Sequence, residues 1–159
     1  MNTSTFYEDL KGAKGAEHLV FNVLSSLDKE RTYEYVGDNR DYYYKGDIKA
    51  TEKSGKEIFI EVKNDSRIAE TQRVLCEEGN YFKRVDYYKD GGMYNKTDIY
   101  CVVSESERKI YIMDFKVLQK HYQSGQYMEL DHPVEVTYCF LLELCRIKQF
   151  GGLIAILDY

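Results

Sequence analysis

Residues 46–63 read GDIKATEKSGKEIFIEVK, and this stretch decides the fold. Its second half alternates, so that two isoleucines and a valine face one side of a strand while Phe59, Glu61 and Lys63 face the other. Charged side chains on a strand with an apolar opposite face are costly to desolvate unless each has a partner. The alternation therefore predicts a strand whose polar face is either a site or a solvated outer surface.

A hairpin is predicted from residues 42–50 and 57–63, which flank a short polar loop. If the loop has an odd number of residues centred on Ser54, Asp47 lies opposite Glu61, with β-carbons about 4.5–5.5 Å apart. An even loop would turn Asp47 to the other face and remove the site. Two carboxylates that close repel each other unless one is protonated or a cation lies between them. Hard oxygen ligands in an incomplete cage suit Mg²⁺ or Mn²⁺.

A helix is predicted over residues 5–29 because apolar residues recur there at helical spacing. The stripe consists of Ala13, Val20, Leu24 and Leu27. Gly12 and Gly15 weaken its first half and are candidates for an interruption. Glu17 lies on the apolar stripe rather than on the polar face, which makes it a candidate third acid. The alternative is a surface pair between Glu17 and Lys14.

The rest of the chain predicts an α/β fold in one domain, residues 1–159. Further strands are predicted at residues 31–36, 74–78, 98–104, 109–115 and 153–157, and further helices at 115–122 and 136–150. The turn-forming residues 37–39 separate the first two strands. A helix, a run of strands, then helices and a final strand indicate a sandwich with a mixed β-sheet flanked by helices.

Composition limits the classes of protein that fit. The net charge is −5, whereas a protein that grips a phosphate backbone usually presents a basic surface. The four cysteines lack Cys-x-x-Cys spacing, so buried free thiols are expected rather than a zinc site. We expect a cytoplasmic protein, because no apolar run is long enough for a membrane span and no secretory signal precedes the first helix.

The order of the candidate acids resembles a known pattern. Glu17 on a helix, Gly46-Asp47 entering a strand and Glu61-Val62-Lys63 on the next strand are similar to the PD-(D/E)xK nucleases, the restriction-endonuclease-like superfamily. Gly46 stands where the superfamily has the proline of its name. Two further segments, ETQRVLCE at 70–77 and TDIY at 97–100, resemble a subgroup of phage and restriction-type members. The resemblance covers about residues 10–115.

The resemblance implies a restriction-endonuclease-like fold and a Mg²⁺- or Mn²⁺-dependent endonuclease that hydrolyses DNA phosphodiester bonds. Asp47, Glu61 and the Val62 carbonyl would hold the cation against the scissile phosphate. Lys63 would orient the attacking water and stabilise the more negative transition state. Glu17 would hold a second cation or its waters.

Residues outside this core are weaker candidates. Glu77, on the next strand, is a further possible ligand, with a surface acid as the alternative. Tyrosines near residue 85 are candidates for stacking on bases, although tyrosines in strands more often belong to the core or its rim. The candidate contacts to DNA phosphates are Arg67, Arg73, Lys83 and Arg84, with Lys89 and Lys96 beside them.

A homodimer is expected of a duplex-cutting enzyme, because one site cuts one strand.

Two other classes of function fit the sequence. The rival is a non-catalytic interaction protein with the nuclease fold, for instance from a phage or a defence system. The intact acids and lysine favour the enzyme, and the net charge favours the rival. A plain structural domain with a charged hairpin is the third possibility.

Overall fold

The computed structural model describes residues 3–82, 87–130 and 137–159. Four α-helices lie in these ranges: α1 (Thr3–Leu27), α2 (Ile68–Thr71), α3 (Phe115–Gln123) and α4 (Leu144–Gln149). Ten strands accompany them: β1 (Arg31–Tyr35), β2 (Ile48–Glu52), β3 (Glu57–Asn64), β4 (Arg73–Phe82), β5 (Tyr87–Asp90), β6 (Ile99–Ser104), β7 (Lys109–Asp114), β8 (Met128–Leu130), β9 (Thr137–Glu143) and β10 (Leu153–Asp158). None of the described helices is long and apolar enough to cross a membrane.

The larger sheet has the order β1-β2-β3-β6-β7-β10 within the described residues. It is mixed, as predicted, because β3 and β6 run parallel while the other neighbours are antiparallel. In the β2–β3 hairpin, Ile48 pairs with Ile60 and Ala50 pairs with Ile58, so the loop is centred on Ser54. This is the odd-loop register, one of the two alternatives that the sequence left open, and it places Asp47 opposite Glu61.

The second sheet, with the order β5-β4-β9-β8, is antiparallel and was not predicted. A core cluster that includes Tyr100, Met113, Phe115 and Phe140 joins strands of both sheets with α3 and α4. A second cluster, which includes Val20 of α1, buries the other face of the larger sheet. The larger sheet therefore lies between α1 on one side and the smaller sheet with α3 and α4 on the other.

Two sequence predictions about secondary structure are wrong. The predicted strand at 42–50 begins only at Ile48, because Arg40–Tyr42 forms a 3₁₀ helix that continues into a turn. The predicted helix at 136–150 is instead β9 followed by α4, since this apolar run pairs along β4. Residue 136 itself lies outside the described ranges.

Helix α1 runs without a break through both glycines, so the possible interruption does not occur. The four cysteines are free, as predicted. Cys76 and Cys101 are buried and Cys139 is half-buried, but Cys145 is exposed, which corrects the expectation that all four are buried.

Candidate active site

Asp47 is fixed at the start of β2 by its contacts with β3. Its main-chain N–H donates to the Ile60 carbonyl at 2.9 Å, and its Oδ2 accepts from the Val62 N–H at 2.8 Å. Gly46, just before it, has φ +141°, and a β-carbon there would lie 2.6 Å from the Ile60 oxygen. Only glycine combines this backbone angle with so close an approach. Gly46 therefore lets the chain lie close enough to β3 for the Asp47 carboxylate to accept the hydrogen bond from Val62.

Glu61 and Lys63 form an ion pair on the polar face of β3. The Lys63 amine lies 2.6 Å from Glu61 Oε1, and Glu61 is only 8% exposed. Burial disfavours the charged amine, but the charge and hydrogen bond of Glu61 outweigh it, so the pKa of Lys63 is raised. The lysine therefore stays protonated and can stabilise negative charge next to the two acids.

The Asp47 carboxylate is in an unfavourable electrostatic environment. Burial and the nearby charge of Glu61 raise the pKa of Asp47 to about 7, against the opposing hydrogen bond from Val62. Asp47, Glu61 and Lys63, which we call the hairpin triad, all line one pocket of about 220 Å³. The sequence placed these three residues together only if the loop was odd, and in the structure they line the same pocket.

The opposite walls of this pocket, called the site pocket, come from the smaller sheet, which carries the candidate ligand Glu77, and from a turn that the sequence did not connect with the site. The smaller sheet contributes Glu77 on β4 and Lys89 on β5. The turn at residues 42–45, called the tyrosine turn, contributes Tyr43 and Tyr44. Glu77 thus lies on another sheet from Glu61 but lines the same pocket, and its carboxylate accepts a hydrogen bond from the Asn80 amide.

Glu17 reaches the site from the other face of the larger sheet. Its Oε2 accepts from the Tyr35 hydroxyl at 2.6 Å, so the acid is neither in open solvent nor paired with Lys14. A second cavity of about 520 Å³, called the helix-side cavity, is lined by Glu17, Asp47 and Lys63 but not by Glu61. Glu17 therefore lies near Asp47, but it does not line the site pocket that contains Glu61.

The predicted DNA contacts are mostly elsewhere. Arg67 is exposed beside the helix-side cavity, of which its neighbour Ser66 forms part. Arg73 lines a different cavity with Arg146. Lys83 and Arg84 lie outside the described residues. Among the basic residues proposed from sequence for phosphate contacts, Lys89 is the one that the described part of the chain brings into the site pocket.

The donor set fits a hard divalent cation with few protein ligands. Among the described residues, no group of three or more histidine, cysteine, aspartate or glutamate side chains is arranged to hold a metal ion. Mg²⁺, however, is commonly bound by one or two carboxylates together with waters and substrate phosphates. Asp47 and Glu61 match that smaller set. A cation there would also relieve the repulsion that raises the pKa of Asp47.

No protein-family model, curated protein or solved structure matches this chain. The resemblance to PD-(D/E)xK nucleases therefore depends on the sequence motifs alone, which are Glu17, the hairpin triad and the segments at 70–77 and 97–100.

Sequence reasoning missed the tyrosine turn as part of the pocket. Three successive tyrosines favour a strand by propensity, which is why residues 42–44 were assigned to one. The signal that points to a turn is the polar run from Gly37 to Asp41 immediately before them. The positive φ of Gly46 completes the turn and directs the chain into β2.

Proposed function

We propose that this protein is a Mg²⁺- or Mn²⁺-dependent endonuclease that hydrolyses DNA phosphodiester bonds. The observation that carries the proposal is the convergence of the hairpin triad: two acids and a protonated lysine line one pocket on an otherwise buried strand. Such a cluster is electrostatically costly without a ligand, as the raised pKa of Asp47 indicates. A strand built only for packing would not need it.

The proposed division of labour follows from the contacts. Asp47 and Glu61 would hold the cation, with the Val62 carbonyl as a third oxygen. When bound, the cation would act as a Lewis acid and lower the pKa of a coordinated water. Lys63, held by one Glu61 oxygen, would orient the attacking water and stabilise the charge that develops on the phosphoryl oxygens. Attack by the water oxygen would form a new P–O bond and break the bond to the leaving sugar oxygen. The attacking water would lose its proton to solvent, and the leaving oxygen would take one up from solvent.

The test compares metal binding with cleavage of supercoiled plasmid in Mg²⁺ and Mn²⁺. Asp47→Ala should lose both, because it removes a ligand. Lys63→Ala should keep metal binding, since it frees a Glu61 oxygen, while nicking falls by about 10²–10³-fold. Calcium should support binding of DNA but little cleavage, because its longer and looser coordination positions the water poorly.

Lys49→Ala is the matched control. Lys49 lies on the same hairpin and forms an ion pair with Glu34 at 2.6 Å, but it does not line the site pocket. Its loss should leave nicking unchanged. Nicking by Lys63→Ala at the wild-type rate would reject the proposed mechanism, and nicking by Asp47→Ala would assign the activity to another site or to a contaminant.

A non-catalytic interaction protein is the second candidate. The net charge of −5 favours it, because a protein partner does not require a basic surface. The same experiment separates the two functions. Binding of divalent cations without cleavage of supercoiled, linear or branched DNA would support the interaction protein.

A further inference from the structure

The site pocket has a recessed floor and an aromatic rim. Glu61 is 8% exposed on the floor, whereas Tyr43 and Tyr44 are 60% and 58% exposed at the edge. Their rings lie 5.2 Å apart in an edge-to-face arrangement. Large aromatic surface left in water beside a polar pocket contributes little to the core. It is therefore available to a flat, apolar part of a ligand.

The tyrosine turn is held in place by contacts from both sides. The Tyr44 carbonyl accepts from the Lys96 N–H at 2.7 Å, and the Lys45 carbonyl accepts from the Thr97 hydroxyl at 2.6 Å. On the other side, the Lys89 amine donates to the Tyr43 hydroxyl at 2.6 Å. The backbone of the turn is thus anchored just before β6 and the Tyr43 ring is anchored to β5, which limits the ordering entropy that is lost when a ligand binds.

Lys89 and Tyr43 form a composite surface, and Tyr44 extends it. The Lys89 amine lies 4.2 Å from the centre of the Tyr43 ring, a cation–π distance. Tyr42 also lines the site pocket, but it is half-buried and its ring packs 5.8 Å from that of Phe59. The rim thus offers a positive charge for a phosphate and a tyrosine ring for a base.

There is also space on the far side of the hairpin triad. The helix-side cavity shares Asp47 and Lys63 with the site pocket, and its other walls include Gly12 and Ala13 of α1. A chain whose phosphate reaches Asp47 and Lys63 therefore has room on both sides of that phosphate.

We propose that the substrate is unpaired DNA. One base stacks on Tyr44, and a phosphate of the same strand lies at the hairpin triad. In a duplex the base faces are stacked inside the helix and cannot reach a protein ring, whereas a single strand can bend and expose them. Stacking on aromatic rings is tolerant of sequence. This inference rests on the proposed nuclease function, and it specifies which DNA structure that site accepts.

The test measures binding in Ca²⁺ of a labelled single-stranded oligonucleotide and of the duplex of the same sequence. Stacking of one base on an aromatic side chain predicts about 5- to 150-fold tighter binding of the single strand. Tyr44→Ala should remove this preference, while Tyr44→Phe, which keeps the ring, should retain it. Tyr138→Ala is the matched control, since Tyr138 is 52% exposed on β9 and does not line the site pocket.

Cleavage in Mg²⁺ separates the two proposals. Faster cutting of the single strand, slowed by Tyr44→Ala, supports both. Equal cutting and binding of both DNA forms, unaffected by Tyr44→Ala, overturns this inference and leaves the nuclease function intact. Tyr44-dependent binding of single strands without cleavage supports the tyrosine rim and overturns the nuclease function. Because Tyr44 is exposed, equal melting temperatures of the variants are expected, and they exclude misfolding as the cause.

Discussion

Asp47 is the residue whose ionisation opposes folding. Its pKa rises from 3.8 to about 7 on folding, chiefly through burial and the charge of Glu61. The folded state therefore holds the proton more tightly than the unfolded state between these two values. By linkage, the free energy of unfolding falls as pH rises through that window, by at most about 4–5 kcal/mol at about 1.4 kcal/mol per pKa unit.

Asp47→Asn should remove this dependence. In chelator, the variant should be more stable than wild type at pH 8 and similar to it at pH 4, because asparagine has no charge to bury. Saturating Mg²⁺ should stabilise wild type at pH 8 and leave the variant almost unchanged. Urea unfolding at both pH values measures all of these effects. A difference in stability between the two proteins that is independent of pH would contradict this account.

Gly46 sets the geometry on which Asp47 depends. Gly46→Ala should destabilise the fold by about 1–3 kcal/mol, since its φ is strained for alanine and the new methyl group would meet the Ile60 carbonyl. It should also weaken stabilisation by Mg²⁺, because Asp47 would shift. Thermal unfolding with and without Mg²⁺ is the measurement.

The control for this substitution is Gly15→Ala in α1, where the methyl group would meet nothing within 4 Å. Relief of glycine entropy in a helix predicts stabilisation by about 0.5–1 kcal/mol. If Gly46→Ala behaved like Gly15→Ala, the tight approach of residue 46 to β3 would not hold in solution. The φ of +141° at Gly46 is also incompatible with the proline that the superfamily has at this position, since proline fixes φ near −65°.

At the scale of elements, α3 contains an unusual buried histidine. The helix starts at the Asp114 cap, whose carboxylate accepts from the Lys116 N–H at 2.8 Å. Seven residues later, His121 is 3% exposed, and neither ring nitrogen has a hydrogen-bond partner among the described residues. Its nearest described ring is that of Phe150, 5.9 Å away. Buried polar atoms without partners cost about 1–3 kcal/mol each.

His121→Leu should therefore stabilise the protein by about 1–2 kcal/mol, because it replaces an unpaired polar ring by an apolar side chain. Chemical denaturation at neutral pH measures the change. His18→Leu is the control: His18 is exposed and its ring lies 4.4 Å from that of Tyr35, so its replacement should not stabilise the protein. A less stable His121→Leu would mean that the ring nitrogens are hydrogen-bonded in solution.

The elements differ in how far the sequence determines them. The β2–β3 hairpin could be predicted because alternation is a local property. The position of Asp47 relative to Glu61 was conditional on an odd loop, and only the strand pairing decides it. The strand β9 could not, because a short apolar run fits either a strand or a helix until its partner is known. That partner, β4, lies about sixty residues earlier in the chain. The smaller sheet that this long-range pairing forms carries Glu77 in the site pocket. The walls of the site pocket therefore could not be predicted from local sequence patterns.

For the whole molecule, the small number of lysines in the site pocket predicts how DNA binding depends on salt concentration. Lys63 and Lys89 are the lysines that line the site pocket in the described structure. Two phosphate contacts on a single strand predict a slope of about −1 to −2 in a plot of log affinity against log salt concentration. Fluorescence anisotropy at fixed Ca²⁺ and increasing KCl measures it. A slope steeper than about −4 would reveal a basic surface outside the site pocket.

The parallel pairing of β3 with β6 has a consequence for folding kinetics. Ile60 pairs with Ile99, and α2, β4 and β5 all lie between them in the chain. Closing so long a loop costs more entropy and is slower than closing the β2–β3 hairpin. We therefore expect refolding to join Asp47 and Glu61 first and to enclose the pocket later. In stopped-flow refolding, metal binding should recover before DNA binding, and simultaneous recovery would contradict this order.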